Sequence, residues 1–195
     1  MYSRDSTHSS RTLRDDDEKF VSEYLQEASH YNEYFDRYIN LIKKYPKLHS
    51  LLDIGCGVGI FLQKVKKMGW SARGLDTSRA AVRYARSQGL EVSLGKIEEV
   101  SFRPGTFDVI TLFQTIEHIK DPVKTLKKIY FLLRKEGILI ITTPSQESFM
   151  ARLMGKFWFG YRNVEHLFFF NKHSLRTVLE KVGFRNIKID TECSR

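Results

Sequence analysis

The sequence predicts an α/β fold, a doubly wound and mostly parallel sheet with helices on both faces. Three runs, at residues 51–54, 107–113 and 138–142, are nearly continuous in apolar residues, the pattern of strands buried on both sides. They alternate with segments whose apolar residues recur at helical spacing. The first run breaks into Asp53-Ile54-Gly55-Cys56-Gly57-Val58-Gly59, an acid and three alternating glycines. That ending makes a tight turn whose backbone takes positive φ and lets a ligand approach with no Cβ in the way.

Residues 1–17, rich in Ser, Thr, Arg and Asp, read as a flexible tail. Residues 18–195 read as a single domain. Its leading segment, about 18–45, reads as a helix carrying aromatics at Tyr24, Tyr31, Tyr34, Phe35 and Tyr38. Strand one and the glycine turn follow, and the helix from Ile60 to Met68 points its positive N-terminal end at whatever sits over the turn. Ala72 to Asp76 is a second short strand ending in a carboxylate. Thr77 or Ser78 then caps a helix that closes at Gly89. Glu91 to Leu94 is a third strand, and Phe107 to Phe113, rich in β-branched and aromatic residues, a fourth. A helix begins at Asp121-Pro122 and stops at Gly137, with Val123, Leu126, Ile129, Tyr130 and Leu133 on one face. Ile138 to Thr142 is the fifth strand. After a loop over about 145–170, a capped helix runs from Asn171 to Val182, and Phe184 to Asp190 is expected as a sixth strand.

Two familiar nucleotide loops do not fit the glycine turn. A dinucleotide fingerprint would need a third glycine at Ile60 or Leu62, and no glycine-lysine-serine/threonine ending appears. The Asp53 to Gly59 segment instead resembles the first motif of the class I S-adenosylmethionine-dependent methyltransferases. The resemblance covers roughly residues 31–189. It implies a Rossmann-like methyltransferase fold, S-adenosylmethionine as cofactor and S-adenosylhomocysteine as product. It places the methionine part of the cofactor against Asp53, Gly55, Cys56, Gly57 and Gly59, and the ribose hydroxyls on Asp76 with Thr77 beside it, where a charged acceptor makes the stronger bonds. Adenine falls at Lys96 and Ile97. Many relatives carry an aspartate near Lys96, so recognition here is expected to use backbone groups and the apolar face of Ile97. Phe113, Gln114 and Tyr31 complete the expected cofactor contacts.

Within the superfamily, Ile116-Glu117-His118-Ile119-Lys120-Asp121-Pro122 resembles the small-molecule branch of ubiquinone-pathway-type methyltransferases. So do Trp158-Phe159-Gly160-Tyr161-Arg162 and Glu165-His166-Leu167. The expected function is methyl transfer to a small-molecule acceptor, an oxygen of an anionic or sugar-like metabolite. His166 and His118 are the candidate bases, because imidazole exchanges protons near neutrality. Tyr34, Trp158, Tyr161, Arg162 and Glu165 are the candidate substrate contacts. No metal is expected: Gln114 stands where ubiquinone-type relatives place a metal-binding acid, and a neutral amide is the poorer ligand for a hard cation.

Other readings are ranked below this one. The place after strand four reads Phe113-Gln114-Thr115-Ile116, not the Asn/Asp-Pro-Pro-aromatic signature of enzymes that methylate exocyclic amines. Neither Cys56 nor Cys193 suits a cytosine-attacking nucleophile. The net charge is +9, of which +8 lies in residues 120–195 with fifteen basic and seven acidic side chains. That bias favours an anionic substrate. No dedicated nucleic-acid module is visible, so a nucleic-acid methyltransferase ranks last, behind a cofactor-binding scaffold that has lost turnover. Two cysteines and a charged N-terminus suit a cytoplasmic protein with no signal peptide or membrane span. The family's usual final antiparallel strand, inserted between strands five and six, has no counterpart in the sequence. A truncated chain, a homodimer or partner chain filling the gap, and a rearranged sheet all remain open.

Overall fold

The computed structural model describes residues 19, 21–26, 28–45, 47–145, 147, 149–155 and 166–190. The predicted tail, the candidate substrate contacts Trp158, Tyr161, Arg162 and Glu165, and Cys193 lie outside these residues.

Helix α1 (Ala28–Ile42) precedes β1 (Ser50–Ile54), α2 (Ile60–Lys67), β2 (Ser71–Asp76), α3 (Arg79–Ser87), β3 (Glu91–Leu94) and β4 (Phe107–Phe113). A single 3-10 turn (Ile116–His118) leads to α4 (Pro122–Leu132), β5 (Leu133–Thr142), α5 (Phe149–Met154) and α6 (Lys172–Val182). The five strands form one parallel sheet in the order β3-β2-β1-β4-β5. The order reverses between β1 and β4, which opens a crevice at the carboxyl ends of the strands.

Local chemistry explains the helix ends. Ser78 Oγ accepts from the Ala81 amide, and Asp121 Oδ1 accepts from the Lys124 amide, with Pro122 in the first turn. Asn171 and Ser174 exchange bonds in a complete capping box. β4 is buried at every position. One apolar cluster packs Phe35, Ile42, Phe61, Val65 and Phe113 between the sheet and α1 to α3. The other packs Ile110, Leu126, Ile129, Leu175 and Leu179 under α4 and α6. Each fully buried side chain of this size contributes about 1.5–3 kcal/mol.

Two predicted boundaries are corrected. The helix after Asp121 stops at Leu132, not Gly137, and the strand starts five residues earlier than expected. Phe107 faces Leu133 while Val109 faces Ile138, so the intervening residues of β5 form a bulge, with Glu136 at φ 68°. Gly137 sits inside that bulge rather than ending a helix. A β-carbon there would come 2.9 Å from the Arg134 carbonyl and 3.1 Å from the Asp108 carbonyl.

The expected sixth strand at Phe184 to Asp190 does not form. Asn186 takes φ 55°, which interrupts an extended run. Phe184, Ile187 and Ile189 pack on the second apolar cluster instead, and the Ile187 carbonyl accepts from Arg176 Nη2. No described strand pairs with the segment. Among the described residues no helix is long and apolar enough to cross a membrane.

Candidate functional site

The carboxyl ends of β1, β2 and β4 bring the predicted residues to one edge. Gly55, Gly57 and Gly59 adopt φ of 73°, 53° and 85°, the left-handed region that other residues enter at a cost. The Gly55 and Cys56 amides both donate to the Leu75 carbonyl, tying the turn to β2. Gly59 caps α2 with no side-chain bond. The thiol of Cys56 is buried, and burial, with Asp53 and Asp76 nearby, pushes its ionisation well up, so it behaves as a small apolar filler.

Asp76, half-buried at the end of β2, clamps the turn. Its Oδ2 accepts from the Gly57 amide at 2.7 Å and its Oδ1 from the Ser78 amide at 2.8 Å. Each oxygen keeps acceptor capacity for a second donor. Thr77 is exposed beside it. Lys96 is exposed, its amide donating to Glu99 Oε2. Ile97 is buried in the second apolar cluster. Phe113 is buried among Tyr34, Phe35, Tyr38 and Phe61, with ring centroids 4.8–5.9 Å from its own. Gln114 is exposed with φ 47°, its amide donating to the Thr142 carbonyl at 2.9 Å. The Tyr34 hydroxyl donates to Thr142 Oγ1 at 2.6 Å, so α1 and the ends of β4 and β5 are latched at one threonine. Tyr31 is stacked on Phe35.

Asp53 is 2% exposed and accepts from Thr111 Oγ1 at 2.6 Å. Burial pushes its carboxyl up to about 7; the Thr111 bond pulls the other way and Asp76 adds to the rise. The folded protein therefore holds this proton more tightly than the unfolded chain. The stability it contributes is fully present below the ordinary value of 3.8 and is lost as pH rises toward about 7. Asp53→Asn is expected to remove that loss, on the order of a few kcal/mol. In paired thermal melts, the variant's advantage over the natural protein should widen from pH 4 to pH 7. Parallel curves would contradict the assignment.

The two candidate bases meet. His118 ends the 3-10 turn after β4, and the Leu167 and Phe168 amides donate to the Glu117 carbonyl at 2.8 and 3.1 Å. This docking sets the His118 and His166 rings 4.8 Å apart, edge to face.

Between them lies a residue that the sequence reading did not assign. Glu117 is 1% exposed, and neither carboxylate oxygen has a hydrogen-bond partner among the described residues. Burial raises its ionisation, while its own backbone amide, the neighbouring Thr143 hydroxyl and then the two histidines favour the charged form. Donor atoms of Glu117, His118 and His166 all lie within 4.8 Å of one another. The signal was an acid between apolar Ile116 and a histidine; its burial was legible only once residues 166–168 were in place.

Comparison with known proteins agrees with this architecture. The chain is 30% identical over 116 residues to the ubiquinone biosynthesis O-methyltransferase of Albidiferax ferrireducens, covering 54% of this chain and 46% of the relative. It is 33% identical over 114 residues to that of Aeromonas salmonicida, covering 54% and 48%. The chain thus spans about half the length of the curated relatives it matches. A crystal structure of a SAM-dependent methyltransferase from Thermotoga maritima superimposes with a TM-score of 0.70 at 27% identity, over 87% of this chain and 80% of that one. Phosphoethanolamine N-methyltransferase 2 of Haemonchus contortus, crystallised with S-adenosyl-L-methionine, shares the fold at a TM-score of 0.65 and 21% identity, over 78% of this chain and 37% of that one. The methyltransferase domain family matches residues 20–189, and the chain belongs to it as a class I S-adenosylmethionine-dependent methyltransferase.

Proposed function

We propose that this protein methylates an oxygen of a small, anionic or sugar-like metabolite. The observation that carries the reading is the His118–His166 pair, docked at the same sheet edge as the glycine turn and Asp76. A cradle of glycine backbone, with an acid that keeps acceptor capacity beside it, fits the cofactor.

S-adenosylmethionine, when bound, supplies a methyl group already activated on a sulfonium. The chain has little left to do beyond positioning and proton removal. In this reading Asp76 accepts from the ribose hydroxyls, and Asp53 with the glycine turn faces the methionine end. Tyr31, Phe113 and Gln114 border the cofactor, with Lys96 and Ile97 at the adenine end. The helical segment ahead of β1 covers the site, and Tyr34 with the loop over about 145–170 holds the acceptor. His166, with His118 as the second candidate, takes the proton as the acceptor oxygen forms its bond to carbon and the carbon–sulfur bond breaks. The names of the ubiquinone-pathway relatives support oxygen as the acceptor atom. The basic bias of residues 120–195 supports an anionic acceptor. Cys56, a free and buried thiol, suits a reducing cytoplasm. A second copy or a partner chain would pair along the outer edge of β5, which no described strand covers.

The test is an acceptor screen read by S-adenosylhomocysteine release. With the acceptor found, His166→Ala should lower kcat about 100-fold or more while cofactor affinity stays within about twofold. A fully active variant would move the base role to His118 or remove it.

The orphaned Glu117 carboxylate favours one second reading, a divalent cation held by Glu117, His118 and His166. Such an ion would lower the pKa of a bound acceptor hydroxyl. Zinc or manganese titration followed by calorimetry tests it: one ion bound per chain and lost in Glu117→Gln supports the cation, and no binding leaves the two imidazoles as the acid–base pair.

A further inference from the structure

Tyr24 lies directly over the glycine turn. A β-carbon built on Gly57 would stand 2.7 Å from the Tyr24 hydroxyl and 2.9 Å from the ring carbon that bears it. The ring is stacked on Tyr31, centroids 5.7 Å apart at 15°, and Tyr31 on Phe35 at 5.8 Å and 22°. A ladder of three rings therefore runs from the core to the face of Gly57. Tyr24 is also set among acids. Burial, then Tyr31, Asp53, Asp76 and Cys56, all push its ionisation up, so it stays a neutral phenol that can rest over carboxylates without adding charge.

Its surroundings differ from those of the core rings further along the ladder. Lys19, Ser22, Glu23, Leu25 and Gln26 are all exposed, and the Lys19–Glu23 ion pair is solvent-facing at 3.9 Å. Phe35, by contrast, is 7% exposed and surrounded by Phe61 and Phe113. The outermost ring of the ladder is thus carried by a turn whose described residues are exposed apart from half-buried Val21 and Tyr24, a segment that opens at lower cost than the core. The face of Gly57 that this ring covers is the face that the cofactor's methionine end requires in the reading above. Ring and ligand cannot share it.

We infer that Tyr24 is a displaceable plug of the cofactor cradle: cofactor binding drives its ring, with residues 21–26, off the glycine turn. The inference rests on the proposed cofactor site. A plug seated in most molecules lowers apparent affinity by the fraction of open molecules, so removing it tightens binding. It also ties the order of residues 21–26 to cofactor occupancy, because that turn and the ligand exclude one another while α1 keeps its place over the site.

The test is calorimetric titration of S-adenosylhomocysteine into the natural protein, Tyr24→Ala and Asp76→Ala, with hydrogen exchange of residues 19–26 followed in the natural protein with and without the ligand. Tyr24→Ala is expected to bind about tenfold more tightly, and exchange across residues 21–26 to speed up on ligand addition. Weaker or unchanged binding by Tyr24→Ala, or slower exchange with ligand, would overturn the plug and make Tyr24 a wall of the site. If Asp76→Ala still loses binding in that case, the cofactor site stands. Folded protein that binds no ligand in any form would overturn the cofactor reading and the plug together.

Discussion

Asp76→Ala is expected to weaken S-adenosylhomocysteine binding by about 100-fold or more while the sheet stays folded. Two effects combine. The substitution deletes the acceptor proposed for the ribose hydroxyls, and hydrogen bonds to a charged group contribute about 1.5–3 kcal/mol each, so two of them account for at least that factor. It also frees the Gly57 and Ser78 amides, which Asp76 now holds at 2.7 and 2.8 Å, and so loosens the turn against which the methionine end would lie. Asp76→Asn should recover little, because an amide that offers its oxygen to one backbone N–H turns its own N–H groups toward the other. Circular dichroism and calorimetry on the two variants check this. Affinity unchanged in a folded Asp76→Ala protein would remove Asp76 from the site.

Gly55→Ala is expected to produce the largest loss of stability among single-methyl additions in the turn. Gly55 sits at φ 73°, and its β-carbon would come 2.3 Å from Thr115 Oγ1 and 2.7 Å from Thr115 Cγ2. Left-handed backbone costs a non-glycine residue about 1–2 kcal/mol, and overpacking adds about 1–3 kcal/mol. Thr115 cannot simply rotate away, since its hydroxyl donates to the Phe113 carbonyl at 2.8 Å. The two costs can be separated by a double mutant. Adding Thr115→Ala to Gly55→Ala should relieve the two shortest contacts and leave a β-carbon contact at 3.1 Å and the backbone part, so the melting temperature recovers in part. Additive losses would show that the two residues do not meet.

The centre of the sheet was legible in the sequence because β1 and β4 are buried along nearly their whole length and read as almost continuous apolar runs. The helix starts were legible because Ser78, Asp121-Pro122 and Asn171 are capping chemistry that acts locally. The start of β5 was not. Leu133 to Gly137 carries mixed charge, and only the register against β4, with Asp108 and Arg134 paired at 2.8 Å across it, shows that it is a bulged strand. Phe184 to Asp190 misled in the opposite direction. Ile187 and Ile189 alternate with charged residues as in a strand, but a strand also needs a neighbour, and pairing is not a local property.

The same division runs through the candidate site. The glycines and Asp76 are named by local pattern. The meeting of His118 with His166 depends on two amides at 167 and 168 reaching the carbonyl of Glu117 across a long loop. Tyr24 was visible as one of several helical aromatics, seven residues before Tyr31 and eleven before Phe35, but spacing alone could not say that its ring leaves the core for the glycine turn.

Whether this edge of the sheet holds the cofactor is decided by calorimetric titration of the natural protein with S-adenosylhomocysteine. One ligand per chain is expected to bind with micromolar affinity and to be displaced by S-adenosylmethionine. A folded sample that gives no binding heat across a range of temperatures, and no shift in melting temperature with excess ligand, would contradict it.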